Sequence, residues 1–174
     1  GHGLSTSCRS RSCNGLVEVV EVTITNLQPL GPFAILRLSD RPEDARRWLN
    51  NARGRLELPA GLVSAYLRAG SIVLAIMEQT VDLVGAKFSV AGGSAIQTDG
   101  EFFWRMDTAD YIDAYRVSLP DEFLLRRLEA GWDRRVLTRQ EMVDADRLIA
   151  DFYREGLDDN LWPGQDSGCL SDNA

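Results

Sequence analysis

Histidine is almost absent from this chain of 174 residues: the single one is His2, and Gly1-His2 reads as a cleavage remnant. Without a histidine in the body, Ser-His and Cys-His couples and an HExxH zinc site are excluded. Cysteine is scarce too, with Cys8, Cys13 and Cys169 all in polar terminal stretches. An odd set with one C-x4-C spacing is neither a disulfide framework nor a zinc signature. A zinc site built on those three thiols lacks a fourth ligand unless a carboxylate or water joins, so no metal is expected. Whether Cys8 and Cys13 pair or stay free is open, and so few cysteines fit a cytoplasmic setting. Long apolar runs are also missing. Ile72 to Met77 is the longest and falls far short of a bilayer span. The opening "GHGLSTSCRSRSCNG" has no apolar core of signal-peptide length. No GxxxxGK[ST] or GxGxxG is present, and no cofactor is expected.

What is present is enough apolar material, 44% of the chain, for one domain with its own core. The net charge is −7, unevenly spread. Residues 1–98 hold ten basic and eight acidic groups, residues 99–122 two against seven, and residues 158–174 four aspartates alone. Binding nucleic acid or an anionic membrane needs a basic face, so neither is an expected partner. An acidic segment suits a basic protein partner or plain solubility. Lys87 is the only lysine; every other basic side chain is arginine.

Hydrophobic patterning divides the chain into a disordered arm (1–15), one α+β domain (16–157) and a loose acidic tail (158–174), to which Trp162 offers an anchor. Leu16 to Thr25 reads as a β-branched strand and Phe33 to Leu38 as a second. "DRPEDARRWLNNARG" reads as a helix capped by Asp40, with Ala45, Trp48, Leu49 and Ala52 inward and Gly54 as its stop. A further helix turns Leu62, Val63, Tyr66 and Leu67 inward and ends at Gly70. Ile72 to Met77, apolar on both faces, is expected in the middle of the sheet. Val81 to Val90 alternates as one strand. Asp99-Gly100 joins "SAIQT" to "EFFWRM" in a hairpin, since both turn residues tolerate positive φ. Asp107 is expected to cap a short helix burying Ala109, Ile112 and Tyr115. Leu119-Pro120-Asp121 opens another with Leu124, Leu125 and Leu128 inward. Thr138 and Glu141 form a capping box for a long helix carrying Met142, Ala145, Leu148, Ile149 and Phe152. The expected architecture is a mostly antiparallel sheet with a central hairpin and helices before and after it.

The densest cluster of special residues is "VAGGSAIQTDGEFFWRMDTADYIDAYRVSLPDEF", Val90 to Phe123. Its Gly92-Gly93 precedes strand rather than helix, so no helix N-terminus awaits a phosphate there. Asp99, Glu101, Asp107, Asp110 and Asp113 are acid/base candidates by residue type. Asp99 is equally a turn residue, Asp107 a cap, and Asp110 with Asp113 a solvated helical face. No D-x-D-x-D-G calcium loop exists. What remains is a small-residue hairpin tip with acidic and aromatic neighbours. A preformed hairpin enters a partner's cleft at low entropy cost, and nearby acidic groups speed encounter with a basic site.

The stretch from the glycine bend through T-D-G-x-x-x-W to a tyrosine-rich helix and L-P-x-x-F also resembles an actinobacterial pattern. It is similar to the immunity factors of the tuberculosis necrotizing toxin type, across residues 70–132. That resemblance implies a cytoplasmic antitoxin that binds the catalytic domain of a secreted NAD glycohydrolase, 1:1, and blocks its NAD site. Carried onto this chain, the inserting element is Gly92, Gly93, Ser94, Ala95, Ile96 and Gln97, held by Thr98-Asp99-Gly100. Asp99, Asp107 and Asp110 complete the expected partner-binding set. The alternative is a small Asp/Glu-dependent hydrolase acting on NAD or a related nucleotide.

Overall fold

Aromatic and β-branched residues between positions 96 and 105 build the centre of the molecule. The computed structural model describes residues 22–35 and 42–155. Strands β5 (Ile96–Thr98) and β6 (Phe102–Arg105) form the expected antiparallel hairpin, and every residue of both is buried. Its turn lies one residue later than expected: Thr98 pairs with Phe103, Asp99 N–H donates to the Phe102 carbonyl (3.3 Å), and Gly100-Glu101 form the tip, with Gly100 at φ +90°. β1 (Gln28–Pro29) pairs parallel with β6, and β2 (Ser71–Leu74) pairs antiparallel with β5, giving the order β1-β6-β5-β2. A separate antiparallel pair, β3 (Gln79–Val81) with β4 (Ser89–Ala91), completes an α+β fold.

Alternation along β6 feeds two cores. Phe102 and Trp104 face a large cluster with Leu30, Phe33, Leu49, Val63, Leu67, Tyr111, Ile112 and Phe123. Leu30 follows β1, and the others come from the turn α1 (Pro32–Ile35) and the helices α2 (Pro42–Ala52), α3 (Ala60–Arg68), α4 (Thr108–Tyr115) and α5 (Asp121–Ala130). Phe103 faces the opposite way, onto Ile96, Ala34, Val73 and the helix α6 (Arg139–Arg154) through Ile149 and Phe152. The capping box at Thr138 and Glu141 forms as the sequence predicts. Trp104 is fully buried, and its indole N–H donates to the Leu67 carbonyl (3.2 Å), tying α3 to the sheet.

Several expectations are corrected. Phe33 to Leu38 is not a strand where described: Pro32–Ile35 is a helical turn, because Phe33 is drawn into the core against the edge of Trp48. Residues 22–25, the described part of the first expected strand, are irregular; Ile24 is buried and its N–H donates to Asp144 Oδ2 at 3.2 Å. Val81 to Val90 is a hairpin rather than one strand. Its loop closes around Asp82, whose carboxylate accepts the N–H groups of Val84, Gly85 and Lys87 and the Tyr115 hydroxyl. Ile72 to Met77 is not central: among the described residues β2 lies at the edge of the sheet, with Ile72, Leu74, Ile76 and Met77 exposed. Leu62, Leu125 and Leu128 likewise face solvent. Asp40, the two terminal segments with their cysteines and Trp162 lie outside the described residues.

Asp82 sets an acid sensitivity. Burial pushes its carboxyl up, but the Tyr115 hydroxyl and the N–H groups of Lys87, Val84 and Gly85 outweigh that and hold it below its ordinary range. A lowered folded value means the stabilisation is present above the unfolded value, about pH 4, and is lost as pH falls through the folded one. Asp82→Asn should therefore lower stability at pH 7 and flatten its fall in acid, followed by thermal melts from neutral pH downward. An unchanged acid slope would mean the loop is held by other groups.

Candidate functional site

The glycine bend that dominates the sequence is an interior feature. Gly92 takes φ +72° and its N–H donates to the Glu78 carbonyl (2.6 Å). The Gly93 carbonyl then accepts from Asp107 N–H (3.0 Å) and that of Ala95 from Met106 N–H (2.8 Å). These bonds continue the β5–β6 ladder past its end. Ser94, Ala95, Ile96 and Gln97 are only 8%, 2%, 3% and 4% exposed, so the Gly92–Gln97 stretch is not an exposed hairpin tip. The reason is topological: β5 runs between β6 and β2, Ile96 lies under α6, and the Gln97 amide donates to the carbonyls of Arg68 and Gly70. At the true tip, Gly100-Glu101, Gly100 is buried with Arg135 and Leu137 packed over it and Glu101 is half-buried, while Asp99 before it is buried too. Inserting this element into a partner's cleft is incompatible with that burial.

The carboxylates are engaged inside the protein. Asp107 stands at the start of α4 but makes no side-chain cap; instead it receives Arg105 through two bonds, Nε to Oδ1 (3.0 Å) and a terminal nitrogen to Oδ2 (2.6 Å). The pair is almost completely buried, 3% and 1% exposed at the side chains. Burial pushes the Asp107 carboxyl up, against the pull of Arg105 and the Thr80 hydroxyl. Nearby, the Ser94 and Thr108 hydroxyl oxygens are buried without a protein partner. Asp99 Oδ1 accepts the N–H groups of Glu101 and Phe102 (2.9 and 2.7 Å), and Oδ2 accepts the Tyr66 hydroxyl (2.7 Å). Arg127, buried on α5, donates to that same hydroxyl (2.5 Å) and to Glu101 (3.3 Å). Burial and the Asp99 charge push the Tyr66 phenol far up, so it stays protonated and donates. Asp110 and Asp113 both hold Arg68, at 3.2 and 2.7 Å. The acidic bias of residues 99–122 is thus largely answered by arginines that sequence reading did not pair with it. Among the described residues, no group of three His, Cys, Asp or Glu side chains is placed to hold a metal.

Two surface features lie outside the expected set. The first is the outward face of α5. Phe123 and Arg127, one helical turn apart, point inward, which turns Leu125 and Leu128 out at 60% exposure each. Glu122, Arg126 and Glu129 flank them. Beside this face an open depression of about 360 Å³ is lined by Asn26, Gln28, Glu101, Phe102, Glu122 and Arg126. Burial raises the Glu101 carboxyl, but its bond to Arg126 and the charges of Arg127 and Arg126 hold it below the ordinary range, so it is an anion at neutral pH. The second feature is the apolar edge at β2. The i, i+4 spacing of Phe123 and Arg127 was the sequence signal for the first. Leucine at 124, 125 and 128 masked it, because a buried arginine is the exception.

No protein-family model, curated protein or solved structure matches this chain.

Proposed function

We propose that this protein works by binding another protein, as an immunity-type inhibitor. Its partner is the catalytic domain of a secreted NAD-hydrolysing toxin, held 1:1 in the producer's cytoplasm with its NAD site blocked. The observation that carries the binding reading is the outward face of α5, where Leu125 and Leu128 stand in solvent among acidic neighbours next to a depression. An exposed apolar patch rimmed by polar and charged side chains suits a protein-binding surface. Asp121, Glu122 and Glu129 against Arg126 leave that face acidic, suited to a basic partner surface. The identity of the toxin comes from the resemblance alone. This placement moves the contact from the Gly92–Gln97 bend to α5.

The hydrolase alternative has one observation in its favour: Glu101 and Glu122 line the same depression as Arg126. The readings separate in a direct assay. Incubated alone with NAD, the protein should cause no loss; mixed with an NAD-hydrolysing toxin domain, it should protect NAD with a 1:1 endpoint. Sustained NAD loss by the protein alone, abolished in Glu122→Gln, would establish the hydrolase instead. Leu125→Arg with Leu128→Arg should weaken toxin binding by about thirty-fold or more, the loss of a central anchor, at unchanged Tm. Undiminished inhibition by that variant would remove α5 from the interface.

A further inference from the structure

We infer that Arg127 is a positioning residue for the α5 face: anchored inside the protein, it fixes the rotation of the helix that leaves Leu125 and Leu128 on the surface. Its role in binding rests on the proposed α5 interface; its control of the rotation does not. Successive helical residues are turned by about 100°, so α5 carries two neighbouring rows, Phe123 with Arg127 and Leu124 with Leu128. By residue type the leucine row is the better core stripe, since arginine is rarely buried. The protein buries the other row. Phe123 and Arg127 are 0% and 5% exposed, Leu124 is half-buried, and Leu125 and Leu128 face solvent among the described residues.

Phe123 supplies the first fixed point, its ring against Phe102 (5.2 Å between centroids) and Tyr66 (6.1 Å). Apolar burial is non-directional, so that ring alone specifies the next turn of the helix weakly. Arg127, one turn on, supplies the second point, and its contacts are directional. Its terminal nitrogens donate to the Tyr66 hydroxyl (2.5 Å) and to Glu101 (3.3 Å), with Asp99 at 3.9 Å and the Tyr66 ring 5.2 Å below the guanidinium. These partners belong to α3 and to the hairpin turn, so one side chain ties α5 to two other elements. Stability alone does not account for the choice. Arg127 Nε finds no acceptor among the described residues, and well-packed apolar side chains often stabilise as much as a buried ion pair. What the guanidinium fork adds is a single orientation. Truncating it leaves no carboxylate buried and bare: Asp99 keeps the Tyr66 hydroxyl and two backbone N–H groups, and Glu101 keeps Arg126 at 2.7 Å. The fold should therefore survive the loss of Arg127, while the leucine row competes for the space.

The experiment measures, by NMR on the full chain, how strongly a soluble gadolinium chelate relaxes the methyl groups of α5. In Arg127→Ala the relaxation of the Leu128 methyls should fall about twofold or more as the leucine row turns inward. Val143 on α6, 55% exposed, is the control that stays constant. Tyr66→Phe removes only the hydroxyl and should shift Leu128 in the same direction by less; it decides the matter if Arg127→Ala does not fold. Unchanged Leu128 relaxation in the folded variant overturns the inference, since Phe123 alone would then set the rotation. Binding is read separately, as affinity for an NAD-hydrolysing toxin domain. It should fall about tenfold in Arg127→Ala, although a side chain 5% exposed does not itself reach a partner. Reduced relaxation with undiminished affinity would overturn the α5 interface while upholding Arg127's control of the rotation.

Discussion

Asp107→Ala should be the most damaging single truncation among the acidic residues. Removing the carboxylate leaves the Arg105 guanidinium inside the protein without its two-point anion, at a position 3% exposed. Breaking a buried pair from one side costs about 3–5 kcal/mol, a large share of the roughly 5–15 kcal/mol that stabilises a typical domain. The melting temperature should fall by roughly 10 °C or more. The double variant Arg105→Met with Asp107→Leu should recover most of that loss, since an apolar pair of similar volume needs no charge compensation. Thermal and urea unfolding of the three proteins checks both statements. If Asp107→Ala melts within a degree or two of the parent, the pair does not anchor the start of α4. Charge reversal at Asp107 is for the same reason a probe of folding, and no association rate should be read from it.

The second large effect centres on Gly93. A Cβ there would collide with the Thr80 hydroxyl and lie 3.0 Å from Thr80 Cβ and 3.1 Å from Val90 Cβ. Thr80 cannot simply rotate away, because its hydroxyl also supports the Asp107 carboxylate. Gly93→Ala should then cost about 1–3 kcal/mol by overpacking, and Thr80→Ala should cost less on its own. In Gly93→Ala with Thr80→Ala the hydroxyl collision is gone and only the tight contacts to the Cβ atoms of residues 80 and 90 remain, so the two changes should be non-additive, the double variant lying closer to the parent than Gly93→Ala does. Simple addition of the two losses would show that Gly93 is required for its backbone and not for the space it leaves. Ser94→Trp, 8% exposed in the parent, belongs with these variants: it should lower stability directly rather than spare the fold.

Local chemistry was readable where a residue's own neighbours decide its state. The Thr138–Glu141 box and the inward stripe of Ala45, Leu49 and Ala52 follow from hydrogen bonds and periodicity within a few residues and stand as read, and the hairpin after Thr98 forms with its turn one residue later, at Gly100-Glu101. The α+β class follows from the same patterns. The candidate site was much less legible. Asp107 was correctly placed at a helix start, yet its partner is Arg105, and a cap and an ion pair are indistinguishable in the sequence. Asp99, Asp110 and Asp113 looked like open acid because Arg127 and Arg68 are remote in the chain.

Apolar content misled where strand order mattered. Ile72 to Met77 is apolar on both faces, and the sequence by itself determined that it is extended at its start and uncharged throughout. Only the tertiary structure decided that it lies at an edge among the described residues, since strand order is set by which segments pair across the sheet. The same holds for α5. Its helical span is local, but which face turns inward was decided by Tyr66, Asp99 and Glu101, which hold Arg127 inside and so leave Leu125 and Leu128 in solvent. Composition and spacing determine the elements, their caps and their turns, because those depend on short-range sterics and hydrogen bonds. The surfaces on which the proposed functions rest come from long-range packing, where an interior arginine with three partners outweighs the helical stripe of leucines.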